Sequence, residues 1–425
     1  MQLRPWNTRL KGRIRPPSDK SITHRGVLFS ALAKGVSEIK DPLDSLDTAA
    51  SLAVIQNLGV KLIERTATHW VLKSPGYQDL EEPRTIIDCL NSGTTMRLTT
   101  GLLAGTPFLT VLSGDDSLRE RPMARVMDPL RALGIDIRGR QGGKAPLVVQ
   151  GGPHRGGVSR LSVASAQVKS ALILAGLSAD APLTIHELLP TRDHTERLLK
   201  AMGASIEVQS KTITVAPGPV MPYTVAVPGD PSSAAYWAAL ASLLEDSELL
   251  VEGVSLNPGR IGFYQLLQDM GAHVEFRVIQ KSPEPIGDIR IGWAPLHGVV
   301  VDADIVPGLI DELPLIALLA AHAKGDTVVS GAGELRVKET DRIRATTDNL
   351  RSLGVEIEEH ADGFSVKGGQ RLCGGVVKAM GDHRIAMMLA IAATVASGPV
   401  VLEGAEAMEI SYPEFFRDYW RFADE

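Results

Sequence analysis

The chain repeats itself, and that constrains its fold more than any other feature. Leu58-Gly59-Val60, Leu133-Gly134-Ile135, Met202-Gly203-Ala204, Met270-Gly271-Ala272 and Leu353-Gly354-Val355 recur at steps of 68 to 83 residues. Glycine just past a helix suits a left-handed cap. Each copy precedes a strand pair with alternating polarity, such as the one ending in residues 147–150. A second signature is an apolar, alanine-rich helix followed by a strand. It starts six times, at Ser21, Thr94, Gln167, Ser232, Glu312 and Arg384. The unit is therefore about seventy residues of helix, strand, helix and paired strands. Solenoid repeats are shorter, around 20–50 residues. Six helix starts meet five glycine-capped ends. The sixth unit is expected to be finished by a C-terminal helix over 413–422, with the strand over 10–15 closing it. Both chain ends then share one domain, 1–17 plus 228–425, and 18–227 forms an inserted one. Arg15-Pro16-Pro17 and Val227-Pro228-Gly229-Asp230 mark the crossings and would serve as the hinge.

The 425 residues are enough for two full cores, and 44% hydrophobic with 22% charged residues is ordinary for a globular protein. A net charge of −6 offers no global basic field for nucleic acid, so any anion site must be local. Two cysteines, Cys89 and Cys373, make no disulfide framework and have no metal-ligand spacing. Cys89 reads as a buried small residue. The histidines lack zinc-type partners. The first residues lack an apolar signal region, and no apolar run reaches membrane-spanning length. The expectation is a cytoplasmic protein with neither membrane nor nucleic-acid partner.

Polar and charged residues precede every alanine-rich helix. Asp, Ser and Asn there serve as caps. Capping does not call for Lys20, Arg25, Arg97, Lys169 and Arg384 in or near the first turns, where a cation opposes the helix dipole. Bound anions explain such a set. The stretch from Asn91 to Arg97 is the best example, since small residues at a strand-to-helix turn leave backbone N–H groups open to an anion. Lys338 and Arg342 are four apart and are expected to share a helix face, with Glu339 beside them and Asp341 free to pair with a cation. No G-x-x-x-x-G-K-[ST] phosphate loop is present.

At Asp19-Lys-Ser-Ile22, Asn91-Ser-Gly-Thr-Thr-Met-Arg97, Arg119-Glu-Arg-Pro-Met123, Ser165-Ala-Gln-Val-Lys169, Arg336-Val-Lys-Glu-Thr-Asp-Arg342 and Gly381-Asp-His-Arg384 the chain closely resembles a known family. This is the 5-enolpyruvylshikimate-3-phosphate synthases, or 3-phosphoshikimate 1-carboxyvinyltransferases, matched over residues 10–416. The resemblance implies an α/β (α+β) fold: a two-domain inside-out α/β barrel of six βαβαββ repeats, three per domain, with the active site in the cleft between them. It implies transfer of the enolpyruvyl group of phosphoenolpyruvate to the 5-hydroxyl of shikimate 3-phosphate, with phosphate released. No metal or organic cofactor is implied. Glyphosate competes with phosphoenolpyruvate in that family, and a monomer that closes on its substrates is expected.

Carried onto this sequence, the resemblance gives phosphoenolpyruvate contacts at Lys20, Gly93, Arg121, Gln167, Arg342 and Arg384. Shikimate 3-phosphate would meet Lys20, Ser21, Arg25, Ser165, Ala166, Gln167, Thr191, Arg192, Asp311 and Lys338. Asp311 would accept the 5-hydroxyl proton, Glu339 would exchange the methylene proton, and Lys20 would neutralise the bridging phosphate oxygen. Ser18 and Leu90 stand where glycine is common, Ala166 replaces a serine of one subclass, and Ile410 stands about where some members have lysine. Two phosphates and two carboxylates on the substrates suit several guanidiniums. Cations in both halves are expected to hold an empty cleft open until an anionic substrate bridges them. A UDP-N-acetylglucosamine enolpyruvyl transferase would carry a mobile cysteine ahead of its Arg-Pro pair, and Gly114 to Arg119 holds none. A non-catalytic phosphate-binding protein would need the cations but not Asp311 and Glu339.

Overall fold

The six expected helix starts open the helices Lys20–Ser30, Gly93–Leu102, Ala166–Gly176, Pro231–Leu243, Leu313–His322 and His383–Val395, each beginning within one residue of its expected position. The protein's computed structural model describes residues 1–6 and 8–424. Pro231–Leu243, Leu313–His322 and His383–Val395 bury nearly every side chain. A helix apolar all round must sit inside a core, and that explains why these segments show no amphipathic period. Small residues let such helices approach closely. A Cβ on Gly101 would stand 2.1 Å from the Ala171 carbonyl oxygen, so Gly93–Leu102 and Ala166–Gly176 touch backbone to backbone there. Gly101→Ala would force them apart.

Contacts divide the chain into two units, each with its own apolar core. One comprises Met1–Pro17, Gly229–Lys281 and Pro285–Glu425; the other comprises Ser18–Pro228 and Ser282–Glu284. Pro228 groups with the second, where its carbonyl accepts the Asp19 N–H at 2.7 Å. Within each unit, three buried helices carry three small sheets. Among the described residues five sheets have four strands in one spatial plan: in four of them the first strand in the chain lies parallel to the second, with the fourth antiparallel between second and third, and in the fifth Thr224–Ala226, last in the chain, takes the first place. In one of them the spatial order is Gly157–Arg160, Leu183–His186, Thr212–Val215, Ile206–Gln209. Between second and third strands runs the glycine-capped helix. Gly59, Gly134, Gly203, Gly271 and Gly354 all take φ between 84° and 104°, the left-handed region a Cβ disfavours.

The closure of the repeats differs from expectation at one strand. Lys11–Ile14 does not complete the sixth unit; it lies parallel to Glu248–Ser255 and is the first strand of the fourth. The sixth sheet, Gly375–Lys378 with Val400–Glu403, is completed by Gln2–Leu3, antiparallel to Val400–Glu403. Two short N-terminal strands stood in for one. In the other unit Thr224–Ala226 returns to lie beside Gly35–Lys40, so that unit also closes on its own first repeat. Among the described residues no helix is long and apolar enough to cross a membrane.

Candidate active site

In the unit containing Ser18–Pro228, the predicted residues gather at the N-terminal ends of the three core helices. Asp19, Ser92 and Ser165 cap them, accepting from Ile22, Thr95 and Val168 N–H. Lys20 follows the first cap, and its Nζ lies 2.9 Å from Asp47 Oδ2. Arg25, one turn further and buried, donates from Nε to Thr195 Oγ1 (2.7 Å), from Nη1 to the Ser21 carbonyl (3.0 Å) and from Nη2 to Ser170 Oγ (2.9 Å). Burial pulls its pKa down to about 10 against the opposing charges of Glu196 and Asp19.

The turn before the second helix holds Leu90 at φ 51°. Glycine would be unstrained at that position. Arg121, released at the end of the short helix Asp116–Glu120, donates to Asn91 Oδ1 at 2.6 Å. Arg97 donates to Gln167 Oε1 at 2.6 Å, and Gln167 Nε2 donates to Thr94 Oγ1 at 2.8 Å. A Cβ on Gly93 would stand 3.0 Å from Arg97 Nη1 and 3.4 Å from Arg121 Nη1, so two guanidiniums face the bare glycine. Ser165, Ala166 and Gln167 open the third helix, half-buried. Thr191 and Arg192, also half-buried, lie in the loop before His194–Ala201.

Lys169 departs from the anion-site expectation. Its amine is 1% exposed and lies 2.8 Å from Glu196 Oε1 and 3.0 Å from Glu187 Oε1. The anions it answers are carboxylates of its own chain.

In the other unit, Asp311, Lys338, Glu339, Arg342 and Arg384 come together. Arg342 is sealed from solvent and sends Nε to Asp382 Oδ2 (2.7 Å), Nη1 to Asp311 Oδ1 (3.2 Å) and Nη2 to Glu339 Oε2 (2.5 Å). Burial alone would lower its pKa, but Asp382 and Glu339 hold it above the ordinary arginine value. Arg384 lies 3.6 Å from Asp311 Oδ2 and 3.7 Å from Glu312 Oε1, and although burial disfavours its charge, Asp311 leads the groups that hold its pKa above the ordinary arginine value. Lys338 does not share a helix face with Arg342. It follows the 3-10 turn Gly333–Val337, whereas the helix Arg342–Ser352 begins only after its cap, Asp341. Asp341 also pairs with Arg336 at 2.7 Å, as its position allowed. Desolvation pushes the Lys338 amine below the ordinary lysine value, opposed by Asp311 and Glu334.

Sequence reading missed the acidic partners. Asp382, at an expected helix start, caps His383–Val395 and also grips Arg342. Asp47, Glu187 and Glu196 give no local signal, since their partners lie far along the chain. Cys89 is buried, as expected, and burial raises its thiol pKa. Ile410 ends the 3-10 stretch Ala405–Ile410, half-buried.

A family model described as EPSP synthase (3-phosphoshikimate 1-carboxyvinyltransferase) matches residues 6–419. A protein of Herpetosiphon aurantiacus named 3-phosphoshikimate 1-carboxyvinyltransferase is 46% identical over 417 residues, spanning 97% of this chain and 96% of that one. One from Roseiflexus castenholzii with the same name is 47% identical, spanning 96% of each. The solved EPSP synthase of Acinetobacter baumannii superposes with a TM-score of 0.87 at 36% identity, covering 99% of this chain and 97% of that one. The enolpyruvyl transferase NikO from Streptomyces tendae, at 18% identity and a TM-score of 0.80, covers 99% of this chain and 96% of its own and shares the fold.

Proposed function

Because this chain belongs to the EPSP synthase (3-phosphoshikimate 1-carboxyvinyltransferase) family, we propose a division of its two residue clusters between two substrates and two proton transfers. The chain transfers the enolpyruvyl group of phosphoenolpyruvate to the 5-hydroxyl of shikimate 3-phosphate in the shikimate pathway. One observation carries the assignment of roles: a single buried guanidinium, Arg342, holds both Asp311 and Glu339. An acid and a base tied to one guanidinium are held close together, as two coupled proton transfers at one substrate pair require.

In this reading Glu339 handles the methylene proton of phosphoenolpyruvate, and cationic character builds at the adjacent carbon. Asp311 takes the proton of the 5-hydroxyl as its oxygen adds there. Phosphate then leaves as Glu339 takes up a methyl proton and that C–H pair forms the new double bond, with Lys20 neutralising the bridging oxygen. Arg121, Arg342, Arg384, Gln167 and the Gly93 backbone hold phosphoenolpyruvate. Ser21, Arg25, Ser165, Ala166, Gln167, Thr191, Arg192 and Lys338 hold shikimate 3-phosphate, with Asp311 on its hydroxyl. Both clusters are needed at one substrate pair, so the proposal includes closure of the units around bound substrate, which would keep water from the cationic carbon.

The Gly93 geometry supplies the test. A methyl at Gly93 would sit against the tips of Arg97 and Arg121, both flexible ends, so the fold should tolerate it while an anion seated there would not. Gly93→Ala should raise the KM for phosphoenolpyruvate. Glyphosate, proposed to compete at the same seat, should need roughly tenfold more for half-inhibition, the effect of losing about 1.4 kcal/mol. Unchanged values in both assays would remove phosphoenolpyruvate from this turn.

Lys338 gives a pH dependence. Its cation is lost as pH rises through a pKa below the ordinary 10.5, because desolvation disfavours the charge. The kcat/KM for shikimate 3-phosphate should therefore fall on the alkaline side before a free lysine would titrate. Lys338→Arg, charged throughout, should flatten that limb. Identical alkaline limbs would show that Lys338 does not meet this substrate.

A further inference from the structure

Lys169, Glu187 and Glu196 lie in the unit of Ser18–Pro228, buried and outside the residues assigned to substrate. Lys169 Nζ reaches both carboxylates and also donates to the Thr191 carbonyl at 3.2 Å. Glu187 Oε1 in turn accepts from Thr191 N at 3.1 Å and Thr191 Oγ1 at 2.5 Å. So the backbone N–H, backbone carbonyl and side chain of Thr191 are all tied to this one charged group. The neighbours of the triad complete the pattern. Ser170, next to Lys169, accepts from Arg25 Nη2, and Thr195, next to Glu196, accepts from Arg25 Nε. Ser170 Oγ and Thr195 Oγ1 are themselves 2.7 Å apart. Adjacent residues on two helices, Ala166–Gly176 and His194–Ala201, thus present one side chain to the triad and the next to Arg25.

A buried ion cluster is a poor source of stability compared with apolar packing, and its best-attested use is to fix one arrangement. We infer that Lys169, Glu187 and Glu196 are positioning residues for shikimate 3-phosphate: they pin the loop that carries Thr191 and Arg192 and fix the two hydroxyls that aim Arg25. The inference rests on the preceding assignment of Thr191, Arg192 and Arg25 to that substrate. None of the three touches the reacting atoms, so loss of the triad should move binding of one substrate and leave chemistry alone.

The test is steady-state kinetics on Glu187→Ala and Glu187→Gln, with Arg192→Ala as the second arm of a cycle. Glu187→Ala should raise the KM for shikimate 3-phosphate about tenfold, the cost of one positioned charge-assisted contact. The kcat and the KM for phosphoenolpyruvate should stay within about a factor of two of wild type, since no catalytic group has moved. Glu187→Gln keeps an acceptor for Thr191 and should recover part of the loss; it carries the comparison if the alanine variant does not fold. Part of the Glu187 effect acts through Arg192 and the rest through Thr191 and Arg25, so in the Arg192→Ala background Glu187→Ala should add clearly less than it does alone. Folded Glu187 variants with unchanged KM, or full additivity, would overturn the triad's role. An unchanged KM in Arg192→Ala alone would instead overturn the ligand assignment beneath it.

Discussion

Asp311→Asn should bind both substrates and barely turn them over. The asparagine oxygen can still accept from Arg342 Nη1, 3.2 Å from the present carboxylate, while the longer 3.6 Å ion pair with Arg384 is lost. What disappears is the base. General-base terms are worth on the order of 10²–10⁴ in rate, and kcat should fall by that much. Calorimetry should show the affinity for shikimate 3-phosphate within about fivefold of wild type, because one hydrogen bond to a hydroxyl is worth only about 1 kcal/mol. Rapid-quench analysis would separate binding from chemistry. Turnover within a few-fold of wild type would remove Asp311 from the proton transfer.

Lys169→Met should be the most destabilising substitution among the cations at the helix starts. It leaves Glu187 and Glu196 buried, facing each other without their shared ammonium. Removing one partner of a buried charge pair costs about 3–5 kcal/mol. Burial already raises the Glu196 pKa, with Lys169 opposing it, so without Lys169 that pKa should rise further and the variant should lose stability as pH rises through it. Urea melts at two pH values measure both effects. A Lys169→Met protein as stable as wild type, with only a raised substrate KM, would mean that Lys169 serves a bound anion.

The repeats were legible because they rest on composition and spacing. Alanine-rich apolar runs can only be interior helices, and five glycines past five helices announce their caps. The strand at 10–15 was misplaced because alternation tells that a strand exists and not which edge it joins. Gln2–Leu3, two residues long, offered no period to read. Lys338 was put on the helix by spacing alone, yet Asp341 is the cap, and its side chain accepts the Arg344 N–H at 3.1 Å. The cations were found because a positive charge opposes a helix dipole and so stands out. Their acidic partners were not, since Asp47, Glu187 and Glu196 sit where nothing local makes a carboxylate unusual.

In the cluster around Arg342 the three cations Lys338, Arg342 and Arg384 are accompanied by Asp311, Glu312, Glu339 and Asp382. Four carboxylates thus stand beside three cations there, so this cluster is not a purely cationic face.

The central claim is a reaction, and release of inorganic phosphate measures it. The protein should release phosphate from phosphoenolpyruvate only when shikimate 3-phosphate is present, with one enolpyruvyl product formed per phosphate. UDP-N-acetylglucosamine in place of shikimate 3-phosphate should give none. No phosphate from the proper pair, or release supported by the nucleotide sugar instead, would contradict the account.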